Sequence, residues 1–301
     1  FRGMMKKILE TQVLVIGGGA TGTGLVRDLA LRGLRCLLVE QQDINAGASG
    51  GNHGLLHSGA RYIASDPASA RECCDEGAIL KRLAPQCVEE TGGLFVAVEG
   101  DEETYIADFA DRCEQCGIIA TAIDPEAALE MEPSLSPDTI AAFAVADASI
   151  DPFKLSLDNL AQAGTLGTSL LLHHKVVGFI KRAGRIEAVR LVDRRQGNEI
   201  SVHADQIVNA TGAWAGEVAA MAGARINMVY SQGSLIISQM RLGERVLNRL
   251  RKASDADILM PAGSVSMCGT TSKRIGAPDQ GRPTTAEIDA MSEAGMAMVP
   301  K

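Results

Sequence analysis

The sequence lacks an excess of positive charge, a long apolar run and the cysteine pattern of a disulfide framework. Lys and Arg total 29 against 37 Asp and Glu, and the basic residues are scattered. The net charge of −8 therefore excludes a general nucleic-acid binder. No stretch approaches the roughly 20 apolar residues of a membrane span, and residues 1–10 lack the apolar segment of a secretory signal. We expect a soluble cytoplasmic protein.

The cysteines do not predict a metal site. Seven of them, an odd number, are spread over 301 residues, whereas disulfide frameworks belong to short secreted domains. Reduced thiols are expected. Cys113 and Cys116 form a CxxC motif, but no second CxxC follows to complete a zinc or cluster site, and we predict no metal. Residues 1–3 precede a Met and are left out of the fold prediction.

Apolar residues make up 46% of the chain, enough for one large domain or two interleaved domains. Residues 12–16, 20–31 and 35–39 predict a strand, a helix and a strand, which together form a βαβ unit. Further helices are predicted at residues 67–83, 101–115, 152–163, from 213 and at 286–298. Further strands are predicted at residues 94–98, 169–172, 176–180, 186–192, 199–202 and 206–209. Residues 227–238 and 258–269 are predicted to contribute further sheet.

The first turn of this βαβ unit carries a dinucleotide fingerprint. Residues 17–22 read GGGATG, which satisfies GxGxxG directly after a strand and at the start of a helix. Gly17 permits the sharp turn, Gly19 lets the backbone approach a pyrophosphate, and Gly22 lets the helix pack closely on the strand. Glu40 ends the second strand and can accept hydrogen bonds from ribose hydroxyls. The alternative is a glycine-rich turn without a ligand.

The segment after Glu40 favours FAD over NAD. A nicotinamide dehydrogenase would continue with short βα units, whereas residues 43–61 are polar and glycine-rich and contain Ser49, Asn52, His53 and His57. Such a segment can lie along an extended FAD. Residues 45–59 contain five glycines and no charge, so their backbone is expected to be exposed and mobile unless something, for example a ligand, packs against it. A second glycine turn, residues 208–214, also follows a strand and precedes a helix, although alone it could be an ordinary turn.

Several motifs resemble the FAD-dependent glycerol-3-phosphate dehydrogenases of the D-amino-acid oxidase superfamily, and most of all the large subunit of the anaerobic bacterial type. They cover nearly the whole chain from Gln12. These motifs are VLVIGGGATGTGLVRDLALRG (13–33), GLLHSGARY (54–62), SARECCDEGAILKRLA (69–84), DPFKL (151–155), NATGAW (209–214), YSQGSLII (230–237), SDADILMPAG (254–263) and GTTS (269–272).

The resemblance implies an α/β fold with a Rossmann-like FAD-binding domain, of the D-amino-acid oxidase/glutathione reductase type, and an interleaved α+β substrate domain. We assign residues 12–84 and 151–223 to the first and residues 85–150 and 224–301 to the second. The implied activity oxidises sn-glycerol 3-phosphate to dihydroxyacetone phosphate, with hydride passing from C2 to the flavin. Electrons would go on to quinone through a partner flavin subunit, then through a membrane-attached iron–sulfur subunit, which places the enzyme at the inner face of the cell membrane.

The catalytic candidates are His57, Arg61 and Tyr62. Hydride abstraction from an alcohol needs a base at the hydroxyl, and a neutral imidazole suits that role. The matching His of related glycerophosphate oxidases stands beside the flavin, which supports His57. A guanidinium fork such as Arg61 fits a phosphate, with Lys273 and Arg274 as weaker candidates. The alternatives are a His that only hydrogen-bonds backbone or flavin and an Arg61 in a surface ion pair.

The residues expected to bind the cofactor come from the fingerprint, from the segment after Glu40 and from the later turn. They are Gly17, Gly19, Ala20, Thr21, Gly22, Glu40, Gln41, Ser49, Asn52, Gly54, Leu55, Leu56, Val176, Ala210, Gly212 and Trp214. His53 is expected to serve the flavin or the loop, and His173, His174 and His203 are expected to be structural or solvated.

The sequence departs from the family at two places. Leu235 stands where aerobic relatives place a His, and members of this type continue past residue 301 with a further flavin-binding turn and a cysteine-rich region. Part of the catalytic site is therefore expected to be missing. Two other readings stay open: another flavin oxidoreductase acting on an amine or a hydroxy acid, and a non-catalytic FAD-binding fragment.

Overall fold

The computed structural model describes residues 7–300, and residues 1–3, set aside above, lie outside that range. Within it, seven helices are α1 (Ala20–Leu31), α2 (Pro67–Leu83), α3 (Glu103–Gln115), α4 (Pro125–Met131), α5 (Pro152–Thr165), α6 (Ala215–Met221) and α7 (Thr285–Met298). The strands are β1 (Lys7–Ile16), β2 (Cys36–Val39), β3 (Leu55–Leu56), β4 (Val88–Glu89), β5 (Gly93–Val98), β6 (Thr121–Ile123), β7 (Thr139–Val145), β8 (Ala148–Ile150), β9 (Ser169–Leu171), β10 (His174–Arg182), β11 (Arg185–Asp193), β12 (Glu199–Asn209), β13 (Tyr230–Gln232), β14 (Leu235–Ile237), β15 (Val246–Arg249), β16 (Ile258–Ala262), β17 (Val265–Gly269) and β18 (Lys273–Ile275).

The chain divides into two compact units. The first unit contains residues up to Asn52 together with Pro152–Tyr230, and the second contains His53–Asp151 together with residues from Ser231 onward. Residues 53–84 thus lie in the second unit, whereas the sequence analysis assigned them to the FAD-binding domain. Which residues make up the cofactor domain stays a prediction, because a division by compactness does not say what binds the cofactor.

The first unit is built on a six-stranded sheet in the order β10-β11-β12-β1-β2-β9. β1 pairs in parallel with both β2 and β12, so the two glycine turns follow neighbouring strands of one sheet. Leu14 and Ile16 of β1 pack on one face, while Val13 and Val15 pack on the other face together with α1 and α5. Both faces of β1 are therefore covered, as is usual for parallel strands.

The second unit is built on a seven-stranded sheet in the order β14-β17-β16-β15-β5-β7-β6. Every residue of β5 is buried, because Leu94 and Val96 pack into one cluster and Phe95 into another. In that second cluster Phe109 of α3 lies against Phe95, with their ring centroids 4.9 Å apart. A smaller sheet, β3-β8-β4, carries the segment that includes His57.

One separation of strands was wrong, because residues 199–202 and 206–209 belong to the single strand β12. The two regions predicted as sheet each contain two strands. Residues 227–238 contain β13 and β14, and residues 258–269 form the hairpin of β16 and β17. The sequence analysis also missed β7, which is rich in alanine, and β15, whose residues do not alternate between apolar and polar.

Candidate functional site

The fingerprint turn leaves no room for side chains at its three motif glycines. Gly17 has φ +113°, and a Cβ there would lie 2.5 Å from the carbonyl oxygen of Ala210 in the second glycine turn. A Cβ at Gly22 would lie 1.9 Å from the carbonyl oxygen of Gly17, and one at Gly19 would lie 2.8 Å from Ser49 Oγ. The two glycine turns are therefore in direct contact, and the backbone is bare where α1 begins.

The start of α1 offers backbone donors. Gly19 is the N-cap residue and has no side chain to cap the helix, while the Ala20 amide donates to Ser49 Oγ at 2.9 Å. Ala20 and Thr21 are exposed. Gly19 supplies no capping side chain, and Ser49 takes the Ala20 amide, so the remaining first-turn amides make this helix start a site for an anion such as a pyrophosphate. The structure thus brings Ser49, from the predicted cofactor segment, to the fingerprint.

Glu40 lies at the end of β2, beside this turn. Its carboxylate accepts hydrogen bonds from the amide of Gly18 at 2.8 Å and from the amide of Gln42 at 2.7 Å. Each carboxylate oxygen keeps a further lone pair for a hydroxyl donor. Bare glycines, a helix N-terminus and a fixed carboxylate together fit the adenosine diphosphate part of a dinucleotide.

The glycine-rich segment after Glu40 is packed by protein. Asn45 donates from Nδ2 to the carbonyl of Pro152 at 2.8 Å and accepts at Oδ1 from Ser156 Oγ at 3.0 Å, so it is tied to α5. A Cβ at Gly47 would lie 3.1 Å from the Trp214 ring, and one at Gly50 would lie 2.7 Å from the Phe153 ring. In residues 45–52 the backbone therefore packs on α5 and Trp214, where the sequence analysis named a ligand as the natural candidate.

The second glycine turn is held by Asn209. Its Oδ1 accepts from Thr211 Oγ1 at 2.6 Å, and its Nδ2 donates to the carbonyl of Ala215 at 2.9 Å. Ala210 donates to the carbonyl of Ile16 at 2.8 Å, which fixes this turn against the fingerprint turn. Gly212 has φ +54° and begins a short 3-10 helix that ends at Trp214.

The remaining predicted cofactor residues lie in different surroundings. Val176 lies in β10 with its side chain in the core of the first unit, and the Gln41 carbonyl accepts from Arg194 at 3.3 Å. Asn52 donates to the carbonyl of Ser49 at 2.7 Å. Gly54, Leu55 and Leu56 belong to the second unit, where the last two form β3.

The second unit brings His53, His57, Arg61 and Tyr62 together. The His57 ring lies 5.3 Å from the Tyr62 ring and 6.2 Å from the His53 ring, measured between centroids. Burial and the nearby charge of Arg61 lower the pKa of His57 to about 4. Burial, His57 and Arg61 also lower the pKa of His53 to about 4. Both imidazoles are therefore neutral at pH 7. His53 Nδ1 already accepts from the Leu55 amide at 3.2 Å.

Arg61 lies within the same unit, largely buried. Its Nη2 donates to the carbonyl of Ser254 at 2.6 Å, and its Nη1 lies 3.7 Å from Asp257 Oδ2. Asp257 is itself buried and accepts from Arg251 Nη2 at 2.6 Å and from the Ser254 amide at 2.6 Å. This arrangement differs from the exposed ion pair considered above. A guanidinium carries five N–H groups, so Arg61 retains donors for an anion.

Lys273 and Arg274 are exposed residues of β18, and Lys273 Nζ lies 3.9 Å from Glu287 Oε2 of α7.

Among the other histidines, His173 contacts Arg195 and His174 contacts the carbonyl of Leu172. Cys113 and Cys116 are buried, and burial raises the pKa of the Cys113 thiol to about 12. Over residues 7–300 no group of His, Cys, Asp or Glu has the geometry to hold a metal ion.

The sequence analysis missed Asp147, Asp257 and Arg251. Asp257 lies within the SDADILMPAG motif, yet nothing in its neighbours indicates that it holds Arg61. Asp147 is separated from its partner Ser58 by 89 residues, and only strand pairing brings the two together.

Along the stretch from residue 7 to residue 300, no helix is both long and apolar enough to cross a membrane.

Comparisons with known proteins agree with the motifs. The family model described as "FAD dependent oxidoreductase" (DAO) matches residues 12–301. One subunit of the anaerobic glycerol-3-phosphate dehydrogenase of Escherichia coli (strain K12) is 46% identical over 293 residues, which are 97% of this chain and 54% of that protein. The protein of the same name from Haemophilus influenzae is 42% identical over 294 residues, 97% of this chain and 52% of that protein.

Among solved structures, L-proline dehydrogenase from P. horikoshii superposes with a TM-score of 0.79 at 23% identity, over 97% of this chain and 78% of that one. At this identity the likeness concerns the fold alone. The chain spans about half the length of the curated relatives it matches.

Proposed function

The chain belongs to the FAD dependent oxidoreductase family that matches its residues 12–301, and we propose that it oxidises sn-glycerol 3-phosphate to dihydroxyacetone phosphate. The family and the α/β fold class expected from the motifs are confirmed by these matches. The proposal of the substrate is supported by relatives at 42–46% identity, each of which is named as one subunit of an anaerobic glycerol-3-phosphate dehydrogenase. The observation that carries it is a half-buried neutral imidazole, His57, beside a guanidinium, Arg61.

The cofactor is proposed to bind through the residues predicted from the sequence. The adenosine diphosphate part would be held by the bare glycines 17, 19 and 22, by Ala20 and Thr21 at the helix start, and by the Glu40 carboxylate. Gln41, Ser49, Asn52, Gly54, Leu55, Leu56, Val176, Ala210, Gly212 and Trp214 complete the proposed set. When bound, FAD supplies the acceptor for the hydride that leaves C2.

His57 is proposed as the base that takes the proton of the C2 hydroxyl while the C–H bond breaks. A pKa of about 4 keeps its imidazole unprotonated at neutral pH, although it also makes the imidazole a weak base. Burial is the larger cause of this lowered pKa, and the charge of Arg61 is the smaller one. A dianion bound to Arg61 would offset only the contribution of Arg61, so it would raise the pKa of His57 in part when the substrate is present.

Arg61 is proposed to hold the phosphate, and Tyr62 to donate its hydroxyl to the substrate. The ion pair with Asp257 and the hydrogen bond to Ser254 hold the guanidinium in one place. A guanidinium that is already held in place loses little side-chain entropy when it binds a phosphate. Unphosphorylated glycerol would not contact this guanidinium, so the phosphate should account for most of the affinity for glycerol 3-phosphate.

The further steps of the reaction are proposed from the name of the relatives, which makes each of them one subunit of a larger enzyme. Electrons would pass to a quinone through a partner flavin subunit, then through a membrane-attached iron–sulfur subunit, and the cytoplasmic chain would be peripheral at the inner face of the membrane through them. Co-purification with such subunits, together with quinone reduction by the reconstituted complex, tests this assignment. Quinone reduction by the chain alone would contradict it.

The cofactor is tested first. An absorbance scan of the purified protein from roughly 350 to 500 nm should show bound flavin, and Glu40→Ala should weaken its retention. Stoichiometric NAD without flavin would overturn the proposal. A panel of glycerol 3-phosphate, glycerol, amino acids and hydroxy acids then identifies the substrate by the rate at which each reduces the flavin.

The roles of His57 and Arg61 are tested by stopped-flow reduction of the bound flavin. His57→Ala should slow reduction by roughly 10²–10⁴ with the flavin retained, while the control His203→Ala in β12 should not. Arg61→Ala should raise the glycerol 3-phosphate concentration needed by about 10- to 100-fold, the loss expected for a charge-assisted hydrogen bond, and should barely change the response to glycerol. Arg241→Ala, which removes an ion pair with Glu89 in the same unit, is its control. A wild-type reduction rate in His57→Ala, or unchanged substrate dependence in Arg61→Ala, would overturn the respective assignment.

A further inference from the structure

Behind His57 lies a buried polar cluster of Asp147, Ser58 and Asn248. The Asp147 carboxylate accepts from the Ser58 amide at 2.6 Å through Oδ1 and from Asn248 Nδ2 at 3.0 Å through Oδ2. All three residues are buried. The carboxylate also fills the space beside Gly93 of β5, where a Cβ would lie 2.8 Å from Oδ2. Asp147 therefore has one position, fixed from two strands and one turn.

This cluster is a costly way to fill a core. Burying a carboxylate costs free energy unless donors compensate, and Asn248 Oδ1 has no hydrogen-bond partner among the described residues, which adds to the cost. Apolar residues of similar size would be neutral or more stabilising in such a place. The cluster is therefore better explained by the position in which it holds a neighbouring segment of the chain than by a contribution to stability.

What it holds is the turn that carries His57. Leu56 of β3 pairs with Ala148 of β8, so the strands place His57 and Ser58 on one side of the ladder and Asp147 directly opposite. The bond from the Ser58 amide continues that ladder through a side chain after the backbone pairing has ended. On the other side of the segment, α2 approaches closely, since a Cβ at Gly77 would lie 3.3 Å from the His57 carbonyl oxygen.

We propose that Asp147 is a positioning residue, which holds His57 in its half-buried orientation through the Ser58 amide and so keeps it able to accept the substrate proton. This rests on the proposed function, in which His57 is the base. Asp147 takes no part in the proton transfer itself.

The charged and titratable groups around the pair are few. His57 is faced by His53, Arg61 and Tyr62, and burial is the largest cause of its lowered pKa. Asp147 is faced by Lys81, Cys73 and Cys113; burial raises its pKa, and the hydrogen bonds from Ser58 and Asn248 oppose that rise. If the turn loosens and water reaches the imidazole, the pKa of His57 should return toward its ordinary 6.5.

The experiment follows the limiting rate of flavin reduction by glycerol 3-phosphate at pH 7.5 and pH 5.5. In the wild type the rate should change little, because burial, the larger cause of the lowered pKa of His57, persists with substrate bound and keeps the imidazole neutral at both values. In Asp147→Ala the rate should be lower at pH 7.5 and fall about tenfold further at pH 5.5, as expected for a base with a pKa near 6.5. Asp147→Asn keeps an oxygen for the Ser58 amide and should retain the wild-type profile.

Glu132→Ala is the matched control. Glu132 is a buried carboxylate of the same unit that accepts from the amides of Glu244 and Arg245 at 2.7 and 3.1 Å, so its loss destabilises without touching the His57 turn. Its pH profile should match the wild type. The same acid shift in Glu132→Ala would overturn the proposal, because general loosening would then explain it.

A folded Asp147→Ala with the wild-type profile would also overturn the proposal. If Asp147→Ala does not fold, Asn248→Ala removes one of the two donors to the carboxylate and must shift the profile in the same direction; a wild-type profile there is a negative result. The proposed function fails separately, when His57→Ala reduces its flavin at the wild-type rate.

Discussion

Two glycines of α1, two residues apart, should respond to the same substitution in opposite directions. Gly22→Ala would place a Cβ 1.9 Å from the carbonyl oxygen of Gly17, whereas nothing lies within 4 Å of a Cβ at Gly24. Both positions have ordinary helical backbone, so helix propensity favours alanine at each of them. The difference between the two variants therefore isolates the contact between α1 and the fingerprint turn.

The size of the effect follows from the geometry. A contact of 3.0 Å would require the Gly17 carbonyl or the helix to move by about 1 Å, and the moving group is backbone. That turn is held by hydrogen bonds from the Gly17 amide to Val39 and from the Ala210 amide to Ile16, both 2.8 Å long. Such overpacking costs about 1–3 kcal/mol, while Gly24→Ala should gain about 0.5–1 kcal/mol. Because the propensity gain is common to both variants, they should differ by the overpacking cost, about 1–3 kcal/mol.

The assay is thermal unfolding followed by circular dichroism, with and without added FAD. For a unit of this size each kcal/mol corresponds to roughly 2–4 °C, so the midpoints should lie roughly 2–12 °C apart. The flavin-free comparison removes the stabilisation that a bound ligand contributes. Gly22→Ala should also lose flavin on gel filtration, because the helix start that offers its amides is displaced. Equal midpoints and equal flavin content in the two variants would refute the close packing of α1 on the turn.

Three further predictions concern the second unit. Because the pKa of His57 is about 4 in the folded protein and 6.5 in the unfolded chain, stability should fall by about 2 kcal/mol for this residue as the pH drops from 7.5 to 5, and His57→Asn should remove that part when unfolding is measured at both values. Gly59→Ala, whose Cβ would lie 2.1 Å from the Ala70 carbonyl oxygen, should lower the unfolding midpoint by clearly more than Gly100→Ala, which has a similar positive φ but open space. Thr284→Ala removes the cap of α7 and should cost about 1 kcal/mol in urea unfolding, while Ser292→Ala within the same helix should change stability by less than about 0.5 kcal/mol.

Local signals were sufficient for the elements that carry the motifs. The bounds of α1 and α2 agree with the prediction, and for α2 the reason is visible in the structure. Asp66 caps the helix by accepting from the Ser69 amide at 3.1 Å, and Pro67 occupies the first turn. The fingerprint turn was predictable for a similar reason, since the structure leaves no room for a side chain at Gly17, Gly19 or Gly22.

Long-range contacts between buried polar residues were not predictable in the same way. Asp147, Asn248 and Asp257 each lie in apolar or mixed segments, and each acquires its role from a partner far along the chain. A buried carboxylate is stable only with its donors, and the identity of those donors depends on strand pairing that the local pattern does not encode. The packing of residues 45–52 on α5 was missed for the same reason.

The topology of the first unit explains why the proposed cofactor residues are so widely spaced in the sequence. β1 has parallel neighbours on both sides, β2 and β12. Parallel strands need long crossover connections, so these strands are far apart in the chain. Their carboxyl ends nevertheless meet at one edge of the sheet. Gly17, Glu40 and Ala210 lie at these three ends. The chain leaves this unit after Asn52 and returns at Pro152, and the bond from Asn45 to Pro152 joins the two points. The three strand ends that carry these residues thus all belong to the first unit, and the residues between Asn52 and Pro152 belong to the second unit.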